Sequence, residues 1–302
     1  MTRVASEALL EQDLASMKQL KGSLLEGRGL QSRIFTGITW GLAILASLPL
    51  FSVIYMLIAK GGARINWETL TALPPAAFEF GGGIGPAIVG TGIMVGIGSL
   101  ISIPIGILAA IYLAEVDPYS KLAETARFLA KVLTGFPSIL AGVFVYAVLV
   151  VTMKSYSAWA GGIALAVLML PTIILTAEEA LKQVPQKMKD AAYGMGCTRA
   201  QVIAAVTLPT GMPGVITGVL LAVAGAAGES APLLFTALFS TYYVNGLEGL
   251  GQPTASLSIL IYNFSGMPYD NQLELAWAAS LVLVLIILVF NILARVLGRQ
   301  KF

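Results

Sequence analysis

The sequence contains no histidine and only one cysteine, Cys197, in 302 residues. These shortages exclude an internal disulfide framework, a Cys/His zinc site and a histidine-based catalytic triad. Charged residues are also scarce, since Lys, Arg, Asp and Glu make up 11% of the chain and the net charge is +2. That balance predicts no nucleic-acid partner. Most enzyme classes are therefore disfavoured, although carboxylate or serine chemistry stays open.

Apolar residues, in contrast, are abundant. They make up 57% of the chain, and the mean hydropathy is +0.84, whereas soluble domains are about a quarter charged. Six stretches are long and apolar enough to cross a hydrocarbon core of about 30 Å, which takes roughly 20 helical residues. They are 34–59, 85–114, 133–153, 157–177, 212–234 and 273–297. The sequence therefore predicts an all-α integral membrane protein with six transmembrane helices, surrounded by membrane lipid.

The distribution of basic residues predicts the orientation of the chain. All of the 18 Lys and Arg residues except Lys60, Arg64 and Lys154 fall on the same side of the predicted spans as the N-terminus. Cytoplasmic segments carry an excess of basic residues. Both termini are therefore predicted to be cytoplasmic, in a multi-pass protein of the bacterial inner membrane.

The N-terminal segment 1–33 is predicted to be separate from the membrane domain 34–302. No long apolar core follows its basic start, so we expect no cleaved secretory signal. Its apolar residues with helical spacing are Leu10, Leu14, Met17 and Leu24. This spacing permits an amphipathic helix lying on the membrane surface, and a solvated tail is the alternative.

One polar stretch interrupts the apolar segments between the fourth and fifth predicted spans. Pro185 suits the first position of a helix, and Gly196 is predicted to end it. Thr198, with Gln201 three residues further on, fits a capping box that opens a second helix. This second helix is predicted to end near Pro209. The stretch is too highly charged for hydrocarbon, so it predicts a cytoplasmic helix-turn-helix that another protein can bind.

Two further segments outside the spans carry weaker signals. Between the second and third spans, an interfacial helix is predicted with an apolar face formed by Leu122, Ala126 and Leu129. Arg127 belongs to its charged face. The outer connection 240–272 is rich in aromatic residues, which predicts either an interfacial belt or a docking surface for an external binding protein. In the second span, the spacing of Gly92 and Gly96 permits close helix packing.

The polar stretch resembles the coupling-loop motif of ABC importer permeases. The matching residues are Asp190, Ala191 and Ala192, then Gly196, then Val206, Thr207, Leu208 and Pro209, with aspartate where the family usually has glutamate. In that family the motif fits a cleft on the ATP-hydrolysing subunit. The resemblance implies that Asp190, Ala191, Ala192, Gly196, Leu208 and Pro209 contact such a subunit. An ordinary surface helix-turn-helix is the alternative that the pattern alone leaves open.

The fifth predicted span contains an acidic residue, Glu229. It lies roughly 24 Å beyond Pro213 at about 1.5 Å per helical residue, toward the outer side. A carboxylate at that depth is costly and indicates a functional site. A structural glutamate that bridges two helices is the alternative.

The segment GESAPLLFTA, residues 228–237, resembles the GETAPLLFTA signature of the phosphate-specific permeases among ABC importers. The stretches GGIGPAIVGT, IPIGILAAIYLAE, GFPSILAG and TAEEALKQVP also agree with that family, in the same order. The resemblance implies the type I ABC importer permease fold and a substrate path formed by Glu229, Ser230, Gly228 and Gly225. It also implies several partners: a second homologous permease subunit, a dimer of cytoplasmic ATP-binding subunits and a periplasmic phosphate-binding protein. The chain itself would be non-catalytic and hold no cofactor, with ATP bound by the partner subunits.

Two departures from that family leave the substrate open. The family usually has an arginine four residues before the glutamate and another before the TEE stretch, where this chain has Gly225 and Leu175. A partner's helix or helix N-terminal amides would then supply the positive charge for phosphate. Permeases for molybdate or sulfate are the alternatives within the class. Outside it, an ATP-independent secondary transporter would be expected to show an inverted repeat, and a non-transporting scaffold would show no flux.

Overall fold

The computed structural model describes residues 27–298. Within that range every regular element is helical. The α-helices are α1 Gly27–Met56, α2 Gly62–Arg64, α3 Trp67–Thr71, α4 Gly85–Ile111, α5 Lys121–Thr134, α6 Ser138–Val145, α7 Val151–Met153, α8 Ala158–Lys182, α9 Gln186–Gly194, α10 Arg199–Val202, α11 Leu208–Gly228, α12 Ala231–Thr236, α13 Leu257–Ser265 and α14 Asp270–Leu297. The π turns are Leu57–Gly61, Tyr112–Val116, Tyr146–Val150 and Ile203–Thr207, and a 3₁₀ turn covers Glu248–Gly251. The predicted amphipathic residues 10–24 lie outside the described range.

Five helical segments are long and apolar enough to cross a membrane. They are Gln31–Arg64, Gly85–Val116, Ala158–Lys182, Arg199–Gly228 and Asp270–Leu297. A sixth candidate is the pair Lys121–Thr134 and Ser138–Met153, whose axes differ by 107°. The third span, predicted as 133–153, was wrong at its start because the chain breaks before Pro137, which disfavours helix in the residue that precedes it.

The chain divides into two compact units, and the first unit ends at Met56. Its described part is α1, a long helix whose side chains from residue 31 onward are almost all exposed. The hydroxyl groups of Thr36, Thr39 and Ser47 each donate to the carbonyl four residues earlier, at 2.7–2.8 Å. These polar groups are therefore satisfied inside the helix, as hydrocarbon surroundings require.

The second unit, from Leu57 onward, is organised around the close packing of α4 on α8. Gly98 faces the Gly162 carbonyl, which an added Cβ would approach to 3.1 Å, and a Cβ on Gly106 would lie 2.6 Å from Ile173 Cγ2. Ser102 lies between them on the same helix face and is fully buried. Small residues at this spacing let two helix backbones approach closely.

The prediction that Gly92 and Gly96 allow close helix packing was wrong within this chain. A Cβ added to Gly92 or Gly96 would meet nothing within 4 Å. Both residues line an apolar groove between α4, α11 and α14 instead. They belong to a different face of α4 from Gly98 and Gly106, because successive residues turn by about 100°.

The outer connection 240–272 contains a helix, α13, that the sequence did not predict. Ser256 caps this helix by accepting from the Ile259 N–H at 3.2 Å, and Thr91 Oγ1 accepts from the Leu257 N–H at 2.8 Å. Phe264, one of the predicted interfacial aromatics, is buried against the core. Tyr262 stays exposed. The apolar run of α13 is too short to span a membrane, so hydropathy alone gave no signal for it.

A paired substitution tests the α4–α8 contact. At Gly162 an added Cβ would lie 2.5 Å from Ile97 Cγ2, so Gly162→Ala should destabilise the chain by about 1–3 kcal/mol through overpacking. Gly96→Ala is the matched control, because it has the same helix-propensity gain of about 1 kcal/mol but open space. Thermal unfolding of the purified protein in detergent measures the difference. Equal midpoints for the two variants would contradict this packing.

Candidate functional site

The polar hairpin, residues 185–202, is built by local backbone chemistry. Pro185 is the N-cap of α9, and Gly196 has φ +86°, the left-handed conformation that favours glycine after a helix. Thr198 then opens α10 through a reciprocal capping box with Gln201. The predicted glycine turn and capping box are confirmed. The first helix begins at residue 186, one position after the predicted start.

The prediction that the second hairpin helix ends near Pro209 was wrong. α10 continues through the π turn Ile203–Thr207 into α11, so Arg199–Gly228 forms one apolar segment. Pro209 lies in the first turn of α11, directly after the π turn, where a missing N–H is tolerated. Leu208 and Pro209 therefore belong to the base of a span and not to a loop.

The residues predicted to contact an ATP-binding subunit differ in exposure. Asp190, Ala191, Gly196 and Pro209 are exposed, Leu208 is half-buried and Ala192 is buried. The Asp190 carboxylate accepts a hydrogen bond from Gln186 Nε2 at 2.9 Å, which holds it against the first turn of α9. The exposed members are thus available to another protein, whereas Ala192 packs within the chain.

The hairpin also presents an apolar face that the sequence reasoning missed. Met188 is 44% exposed and Met195 is 79% exposed, with exposed Ala191 between them. The spacing of three and four residues places these side chains on one side of α9. An apolar surface on an otherwise charged element is typical of a protein contact. The spacing of these apolar residues could have revealed the face, but many charged residues lie around them in the sequence.

A buried ion cluster joins α5, α8 and the end of α4 at the hairpin end of the second unit. Arg127 Nε donates to Glu178 Oε1 at 2.5 Å, and its two other nitrogens donate to the carbonyls of Pro118 and Leu113 at 2.7 and 2.6 Å. Lys182 Nζ lies 2.6 Å from the same Glu178 oxygen. Arg127 therefore does not belong to a solvent-facing charged surface, as its position in the pattern predicted.

This ion cluster was missed because its partners are far apart in the chain. Glu178 is only 4% exposed, so the loss of Arg127 would leave this buried carboxylate with Lys182 as its remaining charged partner among residues 27–298. The apolar face predicted for this interfacial helix is on the surface of the chain, since Leu122 and Leu129 are exposed. Those apolar side chains are free to face lipid.

At the other end of α11, the chain breaks at Glu229. This residue is the C-cap of α11, with an extended backbone at φ −73° and ψ 126°, and α12 begins after Ser230 with Pro232 in its first turn. The continuous fifth span predicted over 212–234 was therefore wrong, because Pro232 has no N–H to continue the helix ladder. Ser258 Oγ donates to the Glu229 carbonyl at 2.9 Å, which satisfies the backbone at the break.

The Glu229 side chain is half-buried, and Gly225 and Gly228 on the preceding turn are exposed. A Cβ at Gly225 would meet nothing within 4 Å, so this side of α11 is open. Among residues 27–298, no hydrogen bond or salt bridge reaches the Glu229 carboxylate. A structural bridge between two helices finds no support in that range.

The structure does not bring the two predicted sets of site residues together. Leu208 and Glu229 stand at opposite ends of α11, whose 21 residues span roughly 30 Å. One helix therefore connects the polar hairpin with the acidic break. In the described part of the chain, no three His, Cys, Asp or Glu side chains converge as metal ligands.

Comparisons with known proteins agree with this architecture. A family model described as binding-protein-dependent transport system inner membrane component matches residues 102–301. The phosphate transport system permease protein PstA of Yersinia pestis is 40% identical over 249 residues, which cover 82% of this chain and 83% of that protein. PstA of Pasteurella multocida is 39% identical over 271 residues, covering 89% and 91%. The probable PstA of Methanocaldococcus jannaschii is 40% identical over 263 residues, covering 86% and 91%.

Solved structures support the fold alone. The crystal structure of a bacterial alginate ABC transporter in complex with its alginate pentasaccharide-bound periplasmic protein contains a chain that superposes with a TM-score of 0.63 at 15% identity, covering 92% of this chain and 98% of that one. The inward-facing MetNI methionine ABC transporter gives a TM-score of 0.54 at 19% identity, covering 72% and 94%. The predicted type I ABC importer permease fold is confirmed.

The family model and the relatives define the class of this helical chain as a membrane permease. The chain belongs to the family of binding-protein-dependent transport system inner membrane components. It is a multi-pass inner-membrane protein, and the family resemblance predicted from its motifs is confirmed.

Replacing Arg127 tests the buried ion cluster. Arg127→Met should lower stability by roughly 1–3 kcal/mol, because the buried Glu178 carboxylate keeps only Lys182 as a charged partner and two carbonyls lose their donors. Lys131→Met, at an exposed position of the same helix, is the control and should change little. Thermal unfolding in detergent gives both values. A result in which the two variants unfold together would show that the cluster adds nothing.

Proposed function

We propose that this chain is one of two permease subunits of an ATP-driven importer for inorganic phosphate. The observation that carries the proposal is the break at Glu229, which places a carboxylate at the open end of α11 that no salt bridge reaches from within residues 27–298. It lies inside the segment 228–237, which resembles the signature of phosphate-specific permeases. The names of the relatives from three organisms support the same substrate.

The chemistry of phosphate suits a carboxylate in the path. Near neutral pH phosphate retains a proton and donates a hydrogen bond to Glu229, whereas sulfate has no donor and meets an unpaired like charge. The exposed positions Gly225 and Gly228, with Ser230 at the break, leave room for the anion beside that carboxylate. These four residues form the proposed substrate path.

The positive charge for the anion comes from a partner in this proposal. Gly225 and Leu175 replace the arginines that the resembled family usually has, and α11 is open on the side of Gly225. The equivalent helix of a second, homologous permease subunit would cover that open side and supply a basic side chain. A periplasmic phosphate-binding protein delivers the substrate to the outer end.

The polar hairpin is the proposed contact with a dimer of cytoplasmic ATP-binding subunits. Its exposed Asp190, Ala191 and Gly196, together with the apolar face of Met188 and Met195, support this role. In the mechanism that the resemblance implies, closure of those subunits around ATP moves the hairpin. This movement reorients the spans, so that the substrate path opens alternately to the two sides of the membrane. The chain itself is non-catalytic and holds no cofactor, because its partners bind the nucleotide.

The orientation that this mechanism needs agrees with the basic residues. At the hairpin end of the second unit stand Lys121, Arg127, Lys131, Lys182, Lys187, Lys189, Arg199 and Arg295, whereas Lys60, Arg64 and Lys154 are at the opposite end. Positive charge marks the cytoplasmic side. Both termini are cytoplasmic in this proposal.

A second candidate within the class is a permease for molybdate or sulfate, and the absence of arginine at residues 175 and 225 favours testing it. The complete complex in proteoliposomes containing ATP should take up phosphate in preference to sulfate and molybdate. Preferential uptake of either other oxyanion would replace the substrate. Uptake without ATP would instead favour a secondary transporter, and no uptake of any anion would favour a scaffold.

Glu229→Gln should lower phosphate uptake by about tenfold or more, because hydrogen bonds to charged groups contribute about 1.5–3 kcal/mol. It should also weaken discrimination against sulfate. The measurement is initial uptake by the reconstituted complex with each anion. Glu248→Gln, at an exposed site in the outer 3₁₀ turn, is the control and should transport normally. An unchanged anion profile in Glu229→Gln would remove this residue from the path.

Gly196→Pro should uncouple ATP hydrolysis from transport. Proline cannot adopt the φ of +86° found at this turn, so the two hairpin helices would lose their relative orientation while the spans remain in the membrane. Gly194→Ala, two residues earlier at an open helical position, is the control. Uptake and ATP hydrolysis are measured on the same vesicles. Normal phosphate uptake by Gly196→Pro would count against the hairpin as the coupling element.

A further inference from the structure

A second buried ion pair ties the polar hairpin to the end of α4. Lys189, on α9, is only 7% exposed, and its Nζ lies 2.5 Å from Glu115 Oε1. The Glu115 side chain is buried as well, with 8% exposed. Lysine is almost never buried unless it is paired.

The same residue also receives the other hairpin helix. Arg199, the first residue of α10, donates through a guanidinium nitrogen to the backbone carbonyl of Glu115. α9 therefore binds the Glu115 side chain and α10 binds its main chain. Both contacts are charge-assisted, the stronger class of hydrogen bond. One residue at the end of a span thus holds both arms of the hairpin.

Glu115 lies in the π turn Tyr112–Val116, which extends α4. Two residues earlier in that turn, the Leu113 carbonyl accepts from Arg127, which in turn pairs with Glu178. The turn is therefore held from one side by the hairpin and from the other by α5 and α8.

We propose that Glu115 is the residue through which movement of the polar hairpin reaches α4, so that the hairpin and the end of α4 move as one body during transport. The proposal rests on the proposed function, in which ATP-binding subunits act on the hairpin. Its physical basis is burial, because separating Lys189 from Glu115 would leave two unpaired charges away from water. The two elements therefore keep this contact while their surroundings rearrange.

The first experiment compares coupling in the complete complex, reconstituted with its ATP-binding and phosphate-binding partners. Lys189→Met should lower the phosphate imported per ATP hydrolysed severalfold, because movement of the hairpin would no longer be passed to the end of α4. Lys131→Met, at an exposed position of α5 outside the hairpin, is the control and should keep the ratio. An unchanged ratio in Lys189→Met overturns the proposal. Absence of phosphate uptake by the unaltered complex would instead refute the proposed function.

The second experiment replaces the ion pair by a covalent link and remains decisive if Lys189→Met assembles poorly. Glu115→Cys and Lys189→Cys are combined with Cys197→Ser, which removes the only native cysteine, and a short bifunctional maleimide joins the two thiols. The unlinked variant should have a low transport-to-ATP ratio, and linking should restore it in the same preparation. If linking leaves the ratio low or abolishes transport, the hairpin and α4 must separate during the cycle and the proposal is wrong.

Discussion

The packing of α4 on α8 through Gly98 and Gly106 is the constraint on which the second unit depends. Because the two backbones touch along these small residues, their ends at the hairpin side are held close together. That proximity is what allows Arg127 to reach both the Leu113 carbonyl of the α4 extension and Glu178 of α8. A bulkier residue at the glycine positions would separate the helices and remove the partners of a buried charge.

Burial of charge distinguishes the two ends of this unit. At the hairpin end, Glu178 and Lys189 are almost fully enclosed, and each has an oppositely charged partner within the chain. At the other end of α11, the Glu229 carboxylate is half-buried and open on the side of Gly225. Enclosed pairs hold elements in fixed relation, whereas an accessible carboxylate is suited to binding. The proposed roles in coupling and in substrate passage follow this difference.

Local chemistry made part of this structure predictable from sequence. Most of the long apolar stretches, the glycine turn at Gly196 and the capping box of Thr198 depend on residues close together in the chain and were predicted correctly, whereas the third and fifth spans were wrong in their bounds. The ion partners of Arg127 and Lys189 lie 51 and 74 residues away, so no local pattern reveals them. The break at Glu229 was missed because hydropathy averages over a window in which one proline carries little weight.

α11 follows the π turn Ile203–Thr207 at the base of the hairpin and ends at Glu229. A tilt of this helix at one end therefore displaces its other end. Over a length of roughly 30 Å, each degree of tilt of a straight helix at its base displaces the far tip by about 0.5 Å. The backbone is extended at Glu229, where the helix ends. α12 therefore need not follow the tilt of α11. In the proposed mechanism, a small tilt of α11 at the hairpin end would thereby become an ångström-scale shift of Glu229 at the other end.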